Sequence, residues 1–194
     1  MRTRALFAAN FVASLLTFGT AVCAGAQDVP AQAPTSSTLT SPEGYYVNFD
    51  DRTDAPRGLI ELVRNDAGEL EGYIRGSFIE GEDPRRVCDE CEDELEGATL
   101  LNLRILHSLR PHDGDVLDWR KGRITDPDNG ETYKAKMAFE PDFSEVKVRG
   151  YIGSPILGRS QYWKRASAED IALVNTYAAQ HGVAPIAMPL DLME

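Results

Sequence analysis

Two cysteines and the acids around them are the residues whose types and spacing come closest to those of a reactive site. Cys88 and Cys91 are separated by Asp89 and Glu90, and residues 92–94 add three more acids. A redox-active thiol pair needs nearby positive charge or a helix amino terminus to form a thiolate, whereas this setting is negative. The pattern therefore favours a structural disulfide that holds an acidic surface loop over 80–96, if the chain reaches an oxidising compartment.

A zinc site is the alternative use of the same cysteines. Cys88 and Cys91, followed by His107 and His112, fall within the ligand spacing of a Cys2His2 site. The residues just before His107 have the pattern of a buried strand, however, and exported thiols would oxidise. We therefore expect no metal and no cofactor, and zinc is the weaker alternative.

The sequence predicts no catalytic residue. It contains no G-x-S-x-G motif of a serine hydrolase. Paired carboxylates are abundant, but in so acidic a chain they are typically solvated surface groups. The acids of 126–131 resemble calcium ligands in type, but Pro127 and the position of Gly130 fit a hairpin turn better.

The amino terminus has the pattern of a secretory signal peptide. Arg2 and Arg4 precede an uncharged apolar stretch, Ala5–Val22, and Ala24-Gly25-Ala26 then offers a cleavage site. We predict a signal peptide over 1–26, and a periplasmic or secreted protein that is not an integral membrane protein. A retained anchor and lipidation at Cys23 are the alternatives. Residues 27–43, rich in Ala, Pro, Ser and Thr, predict a disordered linker.

The charge of the chain restricts its partners. The formal net charge is −11. Such a protein repels phosphate backbones, so we expect no nucleic-acid partner. The same net charge argues against docking on an anionic membrane.

Alternation of apolar and polar residues predicts a mainly β domain over 44–165. It is cleanest at Tyr133, Ala135, Met137 and Phe139. Similar patterns at 44–49, 59–63, 70–78, 100–106, 116–125, 146–152 and 159–165 give about eight antiparallel strands, the number at which small up-and-down barrels close. Ser167 begins a helix of about 14 residues, a common length in globular proteins, within a C-terminal helix and tail over 166–194.

Ten residues in the second half form a recognisable set: Trp119, Gly122, Asp126, Pro127, Gly130, Tyr133, Gly150, Gly158, Arg159 and Trp163. This set resembles the DUF2147 family of bacterial exported proteins of undetermined function. The resemblance covers about 44–165 and implies a lipocalin-like barrel, in agreement with the strand count. The family supplies no catalytic residues.

Two classes of function follow from such a barrel, and an enzyme is the third. The first is a binding protein of the cell envelope for a small ligand, such as a lipid or another apolar molecule. The second is a filled barrel that binds an envelope protein. Cavity volume separates them, because Gly72, Gly76 and Gly150 either leave room or merely allow strands to bend.

Two groups of residues are candidates for the ligand site. The candidate pocket residues are Phe78, Tyr133, Met137, Phe139 and Trp163. Arg149, Arg159 and Arg165 lie near aromatic residues and could clamp an anionic head group. Ion pairing and stacking at the barrel rim is the interpretation that we favour for the three arginines.

Overall fold

Eight antiparallel strands close into a barrel in the computed structural model, which describes residues 41–92 and 95–193. The strands are β1 (Gly44–Phe49), β2 (Pro56–Arg64), β3 (Leu70–Ser77), β4 (Arg104–His112), β5 (Asp115–Thr125), β6 (Thr132–Phe139), β7 (Glu145–Tyr151) and β8 (Gly158–Arg165). Each strand pairs with its neighbours in sequence, and β1 pairs with β8. The predicted up-and-down barrel of about eight strands followed by one helix is confirmed.

The two ends of the barrel differ in how they are filled. We call the end at which β1, β3, β5 and β7 begin the closed end, and the other the open end. Large side chains pack the closed end, including Trp119, Tyr46 and Met137, each at most 1% exposed. Phe139 stacks edge-on between Tyr46 and Phe143, with ring centroids 6.1 and 5.8 Å apart. This half of the barrel is therefore a solid core.

A second core lies outside the barrel wall, beneath helix α1 (Ala168–Gln180). Ser167 caps the helix through the predicted capping box with Asp170. Ile171 and Val174 face β1–β3, and Val174 occupies the space that a side chain at Gly76 would need. The chain then turns back, held by two hydrogen bonds between Asn175 and the backbone of Ile186, and ends in a 3-10 helix, Leu190–Leu192.

The structure differs from the sequence-based expectation in three places. First, β4 begins at Arg104 instead of residue 100 and continues to His112, because Asn102 has a positive φ of 69° and residues 100–103 form a turn. Second, the cysteines of the 80–96 loop are buried. Third, Pro42 at the end of the predicted linker is buried and accepts a hydrogen bond from Tyr46. The predicted signal peptide and residues 27–40 lie outside the described residues.

Glu71 is the one buried carboxylate among the described residues, and it is fully hydrogen-bonded. Its carboxylate accepts from Tyr73 Oη at 2.7 Å, Arg104 at 3.0 Å and Asn65 Nδ2 at 3.1 Å. Burial acts to raise the pKa of Glu71, but these hydrogen bonds and the charge of Arg104 outweigh it, so the pKa is lowered. A lowered pKa contributes stability above the ordinary glutamate value and loses it as the pH falls through the lowered one.

We therefore expect Glu71→Gln to destabilise the protein by roughly 1–2 kcal/mol at neutral pH and by less in acid. The measurement is the free energy of unfolding in urea at about pH 7 and about pH 3. Glu140→Gln, on the exposed turn after β6, is the matched control. An equal loss at both pH values would contradict this account of Glu71.

Candidate ligand-binding site

A cavity of about 350 Å³ occupies the open half of the barrel. Its wall is apolar and comes from seven strands and the β3–β4 loop, through Ile60, Ile74, Leu100, Ile105, Ile124, Tyr133, Val148 and Trp163. Its mouth is polar and is formed by the strand ends and loops of the open end. The volume lies near the lower end of the range for small-molecule sites.

Small residues on the inner wall create this space. A Cβ atom at Gly150 would lie 3.4 Å from Ile124 Cγ2 and 3.6 Å from Tyr133 Cβ, at ordinary contact distance and directed at the cavity wall. Gly72 and Gly76 have another role, because a side chain there would collide with Leu106 and Val174. Of the three glycines, Gly150 is the one that leaves room for a ligand.

A chain of hydrogen bonds connects the depth of the cavity with its mouth. Trp163 Nε1 donates to Gln161 Oε1 at 3.1 Å, and Gln161 Nε2 donates to Asp51 Oδ1 at 3.1 Å. The other Asp51 oxygen pairs with Arg159 at the rim. The indole and amide groups are thus fixed in orientation, and they place polar atoms along one wall of an otherwise apolar site.

Three arginine–carboxylate pairs surround the mouth. They are Arg57–Asp128 at 2.5 Å, Arg86–Glu82 at 2.8 Å and Arg159–Asp51. Such partly exposed pairs contribute little to stability. Arg57–Asp128 and Arg159–Asp51 join different segments of the rim, whereas Arg86–Glu82 lies within the β3–β4 loop.

The predicted disulfide between Cys88 and Cys91 is present, and its loop covers part of the mouth. The Cys88 sulfur lies 3.5 Å from the carbonyl oxygen of Pro127, in the turn between β5 and β6. Gly130 of that turn has a φ of +70°, and a side chain there would collide with the Glu90 carbonyl. The disulfide loop therefore rests directly on the β5–β6 turn.

The structure divides the predicted pocket residues between three places. Tyr133 and Trp163 line the cavity. Met137 and Phe139 fill the closed end, and Phe78 belongs to the outer core beneath α1. Alternation identified the inward face of β6, but it carries no information about which end of the barrel is filled.

The three arginines of the predicted anion clamp are not brought together. Arg159 is at the open end, whereas Arg165 lies six residues further along β8, roughly 20 Å away. Arg165 stacks on Tyr46 at 5.2 Å and binds Glu43 O and Asp191 at the closed end. Arg149 points outward and donates to the carbonyls of Pro155 and Ile156. Arg159 is paired with Asp51, and Arg165 is paired and stacked, whereas Arg149 forms neither kind of contact.

The four residues of the alternative zinc set also lie apart. Cys88 and Cys91 are bonded to each other near the open end, and His112 is at the β4–β5 hairpin of the closed end. Burial lowers the pKa of His107, which is half-buried on β4. No cluster of three metal-ligating side chains occurs within 41–92 and 95–193.

Sequence reasoning missed the polar groups of the site. Gln161 lies two residues from Trp163 on β8 and so shares its face of the strand, and its inward position could have been inferred. Asn48 lies within β1 two residues after buried Tyr46, and Asp51, in the loop after β1, gave no such signal because that loop has no period. The loop residues Glu82, Pro84 and Arg86 reach the mouth only through tertiary folding.

These features define a class of protein: a closed eight-stranded barrel with one solid half and one half that contains an open cavity. The chain belongs to the DUF2147 family, described as an uncharacterized protein conserved in bacteria, whose model matches residues 44–165. Of the ten residues that carried the resemblance, seven line the cavity: Asp126, Pro127, Tyr133, Gly150, Gly158, Arg159 and Trp163.

A solved structure has the same fold. Protein HP1028 from the human pathogen Helicobacter pylori, which belongs to the lipocalin family, superposes with a TM-score of 0.59 over 79% of this chain and 95% of its own. The two sequences are 16% identical, so this likeness concerns the fold alone. No curated protein matches the chain. In the described part of the chain, no helix has the length and apolar character needed to cross a membrane.

Proposed function

We propose that this protein is an exported binding protein of the bacterial cell envelope for a small, largely apolar ligand. The observation that carries the proposal is the 350 Å³ cavity with an apolar wall and a polar mouth. Such a site buries an apolar body and leaves a polar end near water. The cavity volume favours this function over a barrel that is filled throughout and only binds a partner protein.

The cavity limits the size of the ligand. A cavity of about 150 Å³ holds benzene, and this one has a little more than twice that volume. We therefore expect a ligand, or a buried part of one, of roughly 10–15 non-hydrogen atoms. Gln161 and Asn48 offer amide groups to its polar end, whereas the rim arginines are already paired with carboxylates.

Titration with 1-aminonaphthalene, a neutral bicyclic probe of suitable size, tests this proposal. Trp163 lines the cavity and Trp119 does not, so binding should change tryptophan fluorescence more in the natural chain than in Trp163→Phe. Gly150→Leu places a side chain in the cavity and should weaken binding at least roughly tenfold. Ala138→Leu, on the outer face of β6, is the control that adds the same side chain and should leave binding unchanged.

Native mass spectrometry of protein purified from an exporting host gives the second test. A small apolar molecule that travels with the protein in equal amounts would support the proposal and identify the ligand class. The proposal would be refuted if the mass is that of the protein alone and, in addition, the natural chain does not bind the probe or Gly150→Leu binds it equally well.

A further inference from the structure

The outer wall of β5–β7 carries a group of positive charges that the net charge of the chain conceals. We define the cationic face by its five members, Arg123, Lys134, Lys136, Lys147 and Arg149. All five side chains point outward, since the residues between them on β6 and β7 are buried or line the cavity. Without these five charges the formal charge would change from −11 to −16. The wall therefore carries a local group of positive charges that the net charge of −11 does not show.

Like charges face each other directly across strands on this wall. Arg123 is the register partner of Lys134, and Lys136 is the partner of Arg149. Like charges in such positions destabilise a sheet. Within the described residues none of the five takes part in a salt bridge with a carboxylate. The charge of Lys136 helps to lower the pKa of Asp118, and Lys147 lies 5.2 Å from the centroid of the Tyr162 ring. A group of like charges without a salt-bridged carboxylate nevertheless points to an external anion.

An exposed aliphatic tip adjoins the cationic face. Ile152, Ile156 and Leu157, in the turn between β7 and β8, are 68%, 84% and 72% exposed. Arg149 of the cationic face fixes this turn through hydrogen bonds to Pro155 O at 2.7 Å and Ile156 O at 3.2 Å. The apolar residues are thus held outward on a rigid protrusion next to the charges.

We propose that the cationic face and the β7–β8 tip together dock the protein on an anionic lipid bilayer. Lysines and arginines near such a surface are attracted to its head groups, and aliphatic side chains can enter the boundary of the acyl chains. A convex apolar tip beside cations fits a fluid surface, whereas an acidic protein partner would need only the charges. The acidic remainder of the molecule would be turned away by the same field.

One edge of the cavity mouth adjoins this docking surface. Ile152 and Leu157 of the tip also line the mouth. Docking through the tip would place this edge, and not the carboxylates of the rest of the mouth, next to the lipid surface. The docking face does not depend on the proposed ligand, however, because it is built from the outer wall and can be tested alone.

Vesicle sedimentation with protein purified from an exporting host tests the proposal. The vesicles contain phosphatidylglycerol and phosphatidylcholine, or phosphatidylcholine alone. We expect binding to the anionic vesicles that weakens with added salt. Lys134→Gln/Lys136→Gln should weaken it roughly 30-fold, and Ile156→Ser should weaken it as well. Arg64→Gln/Arg110→Gln, which removes two exposed charges at the closed end, should change it less than about twofold.

Three results would overturn the proposal: no binding to anionic vesicles, equal binding to neutral ones, or equal losses in the two double variants. Co-purification of an acidic protein in place of vesicle binding would likewise exclude the bilayer as the occupant. The Lys134→Gln/Lys136→Gln variant should melt at or above the temperature of the natural chain, because repulsion across the strands is relieved. If this variant still binds 1-aminonaphthalene as the natural chain does, the loss of vesicle binding is independent of the ligand site.

Discussion

Replacing Trp119 by alanine is expected to lower the free energy of unfolding by about 3–5 kcal/mol. Trp119 is fully buried in the closed end and is not among the residues that line the cavity. Its Nε1 donates to Val116 O at 2.8 Å, and the guanidinium of Arg64 lies 5.0 Å from its ring centroid. The substitution removes this packing, the hydrogen bond and the cation–π contact at once.

Trp163→Ala is the matched comparison for this experiment. Trp163 is equally buried but borders the existing cavity, so it has fewer neighbours to lose. We expect a smaller destabilisation there, together with weaker probe binding. Urea denaturation followed by far-UV circular dichroism measures both variants without relying on tryptophan fluorescence. Equal losses at the two positions would show that the two halves of the barrel are not packed differently.

The sequence was most informative where local patterns decide the structure. The alternation from Tyr133 to Phe139 predicted β6 because residues two apart share a face of a strand. Ser167 and Asp170 predicted the start of α1 because a capping box is a local hydrogen-bonding unit. Strand number and strand faces together were enough to predict a closed barrel.

The position of each inward side chain along the barrel axis was not predictable from the same patterns. The patterns predict inward positions for both Met137 and Trp163. Met137 fills the closed end, however, whereas Trp163 lines the cavity. The difference depends on what lies opposite: Val148 and Trp119 face Met137 across β7 and β5, whereas Gly150 leaves space beside Tyr133. Packing across strands decides where a barrel remains empty, and it involves residues distant in sequence.

Net charge also proved too coarse to describe the surface. The total of −11 argued against docking on an anionic membrane. Alternate residues of a strand share one face, however, so charges of one sign can all lie on the same face. Lys134, Lys136, Lys147 and Arg149 alternate with apolar residues on two adjacent strands, so they converge on the same wall. Charge arguments from a sequence are therefore safer when they are made for each strand face separately.

Gly130→Ala is expected to destabilise the protein by about 2–4 kcal/mol and to loosen the disulfide loop. Gly130 has a φ of +70°, where a side chain is strained, and its Cβ would collide with the Glu90 carbonyl and lie 3.0 Å from Cys91 Cα. Both neighbours are backbone atoms, which cannot move aside as the end of a flexible side chain could. The β5–β6 turn and the disulfide loop must therefore separate.

Gly68→Ala isolates the collision from the backbone strain. Gly68 has a similar φ of +76° but no atom within 4 Å of a Cβ, so only the strain of roughly 1 kcal/mol applies. Hydrogen exchange of the Cys88 and Leu100 amides, bonded to Ala98 O and Arg86 O at 2.9 Å, reports on the loop itself. These amides should exchange faster in Gly130→Ala and remain unchanged in Gly68→Ala. If the two variants lose the same stability and their amides exchange alike, the disulfide loop does not rest on the β5–β6 turn.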